Sequence, residues 1–185
     1  MSVQLFVMLL LAIVLATYLG IAVRAWIRFR GMRVVTCPET RQPAGVAVDL
    51  GQAMVSAVWK RADVRIATCS RWPERGGCEE TCVRQIEASV DGTRARTIAA
   101  RFFQGRRCAI SQRRIEPLGR STSQPGFMNP VTREVVAWIH VPPQNLPDAI
   151  SSRRALCPDC TVAESSRHPL AATRPGPRPG SRPEQ

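Results

Sequence analysis

Seven cysteines, Cys37, Cys69, Cys78, Cys82, Cys108, Cys157 and Cys160, are the residues of this 185-residue chain best suited to chemistry. The closest pair stands in Cys157-Pro158-Asp159-Cys160. A Cys-x2-Cys turn lets two thiolates and nearby backbone amides wrap one zinc ion, and tetrahedral structural sites are commonly assembled from two such turns. Cys108-Ala109-Ile110-Ser111 repeats the spacing with serine in the last place. A hydroxyl is a poor zinc ligand, so this arrangement supplies three sulfurs and calls on His140, His168 or water for the fourth position. A second group is formed by Cys78 and Cys82, which share a face if their segment is helical, with Cys69 upstream and Cys37 at the end of an expected strand. All seven cysteines are therefore candidate metal ligands, with zinc as the cofactor, although Cys37 reads equally well as a small buried hydrophobe.

Competing chemistries find less support. Redox catalysis of the thioredoxin kind uses Cys-x2-Cys at a helix start in a βαβ setting, whereas Cys157 and Cys160 follow arginines near the end of the chain. Covalent haem needs histidine directly after the second cysteine, where Thr161 stands. There is no Gly-x-Ser-x-Gly, no glycine-rich phosphate loop before a helix and no His-Glu-x2-His. Glu79 and Glu80 are adjacent and fall on different helical faces, which leaves general acid/base catalysis without a centre. His140, on an expected strand with Val136 and Trp138, reads first as a packed side chain. Residues 94–120 hold eight arginines against the single acid Glu116, with Phe102 and Phe103 among them. Arginine beside aromatics grips single-stranded nucleic acid. The phenylalanines fit a core better, however, and lipid is the nearest anion to a basic face beside a bilayer, so nucleic acid is not the expected partner.

The element that positions this chemistry is at the front. From Val3 to Val23 every residue is apolar, small or aromatic except Gln4 and Thr17. At 1.5 Å rise per residue such a run spans the roughly 30 Å hydrocarbon core. A cleaved signal would need a basic start, a shorter apolar centre and a small-residue cleavage site, so a retained anchor is expected. Arg24, Arg28, Arg30 and Arg33 follow at once, with Trp26 among them. Basic flanks stay on the cytoplasmic side. The expected address is a cell inner membrane, single-pass, with the domain in the cytoplasm and these four arginines at anionic headgroups, each contributing on the order of 1 kcal/mol. A protein partner is a second expectation. The net charge of +12 rests on arginine, since Lys60 is the one lysine; a GC-rich coding sequence would produce the same bias. In a reducing cytoplasm, clustered thiols favour metal over disulfides. An odd count cannot all pair within one chain, and the alternative of an extracytoplasmic domain would leave three disulfides and one free thiol.

The chain divides into an anchor with its basic flank over 1–30, one α+β domain over 31–170 and a Pro/Arg/Gly-rich tail over 171–185 expected to be disordered. Within the domain, Val34 to Cys37 and Gly45 to Leu50 read as a hairpin, Gln52 to Lys60 as a helix and Val64 to Cys69 as a strand. Ser70 to Gly77 reads as a loop, followed by a helix opened by Glu79 and Glu80 with Cys82, Ile86 and Val90 on one face. A further helix over Arg94 to Gln104 is closed by Gly105. A loop then fills Arg114 to Val131, a strand covers Glu134 to Val141, and Pro147 opens a last helix toward Ala155.

As a set, Thr36-Cys37-Pro38-Glu39-Thr40, Cys69-Ser70-Arg71-Trp72-Pro73-Glu74-Arg75 with Cys78 and Cys82, Cys108, and Cys157-x2-Cys160 ahead of Ala163-Glu164 resemble a family of uncharacterised bacterial single-pass membrane proteins. The resemblance covers most of residues 30–170 and implies architecture rather than an activity. That family has a second Cys-x2-Cys where this chain has Cys108 and Ser111. The expectation is a membrane-anchored, non-enzymatic domain with structural zinc, serving interaction or scaffolding at the membrane surface. A tethered thiol-redox or metal-dependent enzyme and a disulfide-stabilised extracytoplasmic domain are the alternatives.

Overall fold

The computed structural model describes residues 3–59, 62–72, 78–119 and 123–167, together with the backbone of 180–181. A 27-residue helix, α1 (Val3–Phe29), leads into a small mixed helix and sheet domain. The helix outruns the apolar stretch by six residues because arginine is a good helix former and because Ala25 and Phe29, four apart, share a face that is buried against the domain. Gly31, at φ +93°, ends it in the left-handed conformation that glycine adopts freely.

Among the described residues the domain has two hydrophobic cores. In the N-terminal lobe, β1 (Arg33–Thr36), β2 (Pro43–Val48) and β3 (Ile66–Cys69) form an antiparallel sheet, with the described tail segment β7 (Gly180–Ser181) paired to β3. Asp49 Oδ1 accepts the Gln52 N–H at 3.0 Å and so caps α2 (Leu50–Trp59), which packs beside α1. Val35, Val46, Val48 and Ile66 bury their side chains with Phe29, Trp72 and Ile86 of α3 (Val83–Ala88). In the C-terminal lobe, β4 (Gly126–Met128) lies between β5 (Val135–Ala137) and β6 (Arg154–Leu156). Helices α4 (Ala95–Phe103), α5 (Leu146–Ser152) and α6 (Pro158–Arg167) complete it. Its core is an aromatic trio, Phe102, Phe103 and Phe127, with ring centroids 5.0–5.2 Å apart. The lobes meet where Gly45 of β2 faces the 3-10 turn Pro143–Asn145: a Cβ at Gly45 would lie 2.8 Å from Gln144 Oε1.

The α+β class, the anchor-like first helix and most elements match the sequence reading, with four corrections. Helix α3 starts at Val83, not at Glu79. Glu80 is left-handed at φ +52°, and its carboxylate accepts the Ile66 N–H at 3.2 Å instead of facing a helix dipole. Strand β4 lies inside the expected loop, since three residues bounded by Pro125 and Pro130 are too few to show alternation. The expected strand to Val141 stops at Ala137 and becomes a 3-10 turn, Trp138–His140. Helix α5 ends at Ser152 and is not the last: Ala155 belongs to β6, and α6 starts at Pro158, which puts Cys157-x2-Cys160 at a helix start where none was expected. Most of the expected loop over 70–77 and of the expected disordered tail lies outside the described residues.

Arg33 is a fifth correction. Its place in the sequence groups it with the arginines expected at headgroups, yet it is fully buried. Its guanidinium donates to the carbonyls of Val90 and Arg28 and to Thr93 Oγ1. Arg94 donates to the carbonyls of Ile27 and Arg28 at 2.9 and 2.8 Å. Two guanidinium groups therefore close the last carbonyls of α1, groups that a helix cannot satisfy by itself. Burial, with Arg94 nearby, pulls the Arg33 pKa down to about 10, which leaves it charged at neutral pH.

Candidate metal centre

Among the described residues one turn recurs at three places in the domain. Cys108 N–H bonds Arg113 O at 2.9 Å, Gln112 N–H bonds Cys108 O at 3.0 Å, and Gln112 is left-handed at φ +58°. Cys37, Gln42 and Arg41 (φ +55°) repeat this at 2.9 and 2.8 Å; Asn129, Glu134 and Arg133 (φ +57°) repeat it at 2.9 and 3.0 Å. The geometry turns the amides of the second and third following residues toward the first side chain. At Asn129 they bond Oδ1, from Val131 at 2.9 Å and Thr132 at 3.2 Å. At Cys108 the amides of Ile110 and Ser111 reach the sulfur, and at Cys37 those of Glu39 and Thr40 do. Amide donors favour a thiolate, the form that binds metal.

In the C-terminal lobe this turn is tied to β6 by Ala109 N–H to Ala155 O, 2.9 Å. Cys157 follows β6 directly, and Cys160 sits in the first turn of α6. Helix α6 lies tight on β4: a Cβ at Gly126 would come within 2.7 Å of Thr161 Cγ2. The result is that the sulfurs of Cys108, Cys157 and Cys160 lie within 4.8 Å of one another. Ser111 Oγ is 3.6 Å from the Cys157 sulfur, on the solvent side. Burial pushes the Cys108 thiol up, but the Ser111 hydroxyl and the amides of Cys157, Ser111 and Ile110 outweigh it and hold Cys108 at about 6. Burial pushes Cys160 up to about 11, helped by hydrogen bonding with Cys157 and Cys108. A cation bound there would displace the proton that burial keeps on Cys160. Three sulfurs at this spacing can hold a metal ion, and soft ligands of this kind suit zinc.

The other four cysteines do not show the same mutual approach. Cys37 is at the β1–β2 tip, Cys69 ends β3, and Cys78 and Cys82 precede α3; all four line one pocket. Because α3 starts at Val83, Cys78 is not one helical turn from Cys82, and the shared-face argument for that pair fails. His140 is exposed on its 3-10 turn and stands outside the sulfur cluster, while His168 lies outside the described residues. Among the described residues Ser111 is the side chain nearest the role of fourth ligand.

Sequence reading found Ser111 three residues after Cys108 but missed its counterpart Thr40, three residues after Cys37. The signal was present: Cys37-Pro-Glu-Thr-Arg-Gln, Cys108-Ala-Ile-Ser-Gln-Arg and Asn129-Pro-Val-Thr-Arg-Glu share cysteine or asparagine, then proline or alanine, then a hydroxyl and a long polar residue at the left-handed place. Comparisons with protein families, curated proteins and solved structures found no match to this chain.

Proposed function

We propose that the chain is a membrane-anchored, non-enzymatic domain whose structural zinc at Cys108, Cys157 and Cys160 fastens its C-terminal lobe, and which serves interaction or scaffolding at the membrane surface. The convergence of three sulfurs within 4.8 Å carries the reading. An ion there joins the hairpin turn, the end of β6 and the start of α6, three segments that otherwise depend on a few backbone bonds. The anchor is α1, long and apolar enough to cross a bilayer. Its flank faces the cytoplasm, with Arg24, Arg28 and Arg30 exposed toward anionic headgroups; the Arg30 guanidinium stacks 4.7 Å over Trp26, an amphipathic pair suited to the interface.

A thiol-redox enzyme is the second reading, favoured by the low pKa of Cys108. Its weakness is access, because Cys108 is fully buried.

The test uses the full chain in detergent micelles. Zinc should co-purify, and chelation should lower the melting temperature and expose Cys108, Cys157 and Cys160 to alkylation. Metal-free protein with unchanged melting overturns the zinc reading, and rapid single-site alkylation of Cys108 in the metal-loaded protein would favour the enzyme. Extraction of the chain from membranes by alkaline carbonate would overturn the anchor.

A further inference from the structure

The N-terminal lobe holds a second set of thiols that shares no residue with the centre proposed above. Cys37, Cys69, Cys78 and Cys82 line a single cavity of about 120 Å³, walled by Val35, Ala44, Ile66 and Trp72. That volume is below the roughly 300 Å³ of pockets for organic ligands, so it suits an ion. None of the four is in a disulfide.

We propose that these four thiols are a separate binding site for a zinc-like soft divalent cation, a four-sulfur site that stabilises the N-terminal lobe independently of the C-terminal centre.

Three observations support it. Cys37 occupies the same turn as Cys108, with the amides of Glu39 and Thr40 directed at its sulfur. The Thr40 hydroxyl, which also lines the cavity, is buried with no hydrogen-bond partner among the described residues. Second, Cys69 has one amide on its sulfur, Arg71 N–H at 3.5 Å, while Trp72 N–H closes the same turn on the Cys69 carbonyl at 3.2 Å. Amides aimed at sulfur are the donors that stabilise coordinated thiolates. Third, all four cysteines border the one cavity, and a divalent cation there would close sulfurs that are less tightly drawn together than those of Cys108, Cys157 and Cys160, its charge offsetting the cost of gathering thiolates. The donor set, four sulfurs and no open position, is that of a structural site.

The test counts metals in the full chain in micelles, by native mass spectrometry and elemental analysis, with zinc(II) and then cobalt(II). The unmodified chain should bind two ions, and the Cys157→Ser/Cys160→Ser variant should retain one, whose cobalt spectrum has the charge-transfer intensity of four thiolates. The Cys37→Ser/Cys69→Ser variant should retain the other. A single ion in the unmodified chain that is lost in Cys157→Ser/Cys160→Ser overturns this proposal while sparing the first, and a single ion lost only in Cys37→Ser/Cys69→Ser does the reverse. Because a variant can fail to fold, the count in the unmodified chain decides by itself: two supports the proposal, one with the sulfurs of Cys37, Cys69, Cys78 and Cys82 open to alkylation overturns it. A mass deficit showing a disulfide among these four in freshly purified protein also overturns it.

Discussion

The two lobes collect their thiols from the same kinds of place, a hairpin tip, a strand end and a helix start, yet only the C-terminal set draws its sulfurs within 4.8 Å of one another. The difference follows from connectivity. Cys157 and Cys160 are joined by two residues, and the Cys108 turn is bonded to the strand that delivers Cys157. Cys69 and Cys78 are nine positions apart, and Cys78 precedes α3 with no helical turn to aim it. The cores differ in parallel: aromatic stacking in the C-terminal lobe, mainly β-branched aliphatic side chains in the N-terminal lobe. Short-range spacing sets convergence, and a dense core holds it.

Removing the C-terminal centre should have the largest effect. Cys157→Ser/Cys160→Ser should lose the ion with its linked folding free energy, up to about 10 kcal/mol. Hydrogen exchange should rise throughout the C-terminal lobe while amides of β1 to β3 stay protected; equal loss in both lobes would show that they are one cooperative unit. Next comes the core. Phe103→Ala should cost about 3–5 kcal/mol in denaturant unfolding, against about 2 kcal/mol for Val46→Ala in the other lobe. Equal costs would remove the distinction between the cores. Gly126→Ala should cost about 1–3 kcal/mol, because the new methyl meets Thr161 and the Val136 carbonyl, and should weaken metal retention by displacing α6 with Cys160. Unchanged retention would mean that the helix start can shift without moving its sulfur.

The smallest effect concerns pH. Cys108, held at about 6, stabilises the metal-free fold fully above the unfolded thiol pKa near ~8.5, and that contribution is lost as pH falls through about 6. Cys82 and Cys160, pushed up to about 11, contribute fully below the unfolded thiol pKa and lose it as pH rises toward 11. Ser111→Ala, which deletes the hydroxyl bonded to Cys108, should move the acid limb of the stability profile up by about one pH unit. Unfolding in the presence of chelator across pH 5 to 9 measures it. An unmoved limb would show that the amides alone hold the thiolate. Ser111→Cys sharpens the same point from the other side and should tighten zinc binding by on the order of tenfold, the effect typical of a supporting group at a metal site.

Periodicity placed α1, the β1–β2 hairpin, α2 and α4, each with an uninterrupted apolar pattern or a terminal glycine. It failed at β4 and β6, three-residue strands that exist because β4 is flanked on both sides and not because of their own composition. At the site, Cys157-x2-Cys160 and the Cys108-x2-Ser111 echo were readable because their geometry is local. The amide nests were not read, since they depend on left-handed Arg41 and Gln112, positions where no glycine marks the turn. The buried fate of Arg33 was equally hidden: a guanidinium four residues past a long apolar helix looks like its exposed neighbours until the carbonyls of Arg28 and Val90 are known to surround it.

That burial has a mechanical meaning. With Arg33 and Arg94 gripping the final turn of α1, the rod has no swivel where it joins the body, and Arg33 is also the first residue of β1, the strand that ends next to Cys37. Tilting or twisting the rod would be delivered through one short strand to the rim of the four-thiol cavity.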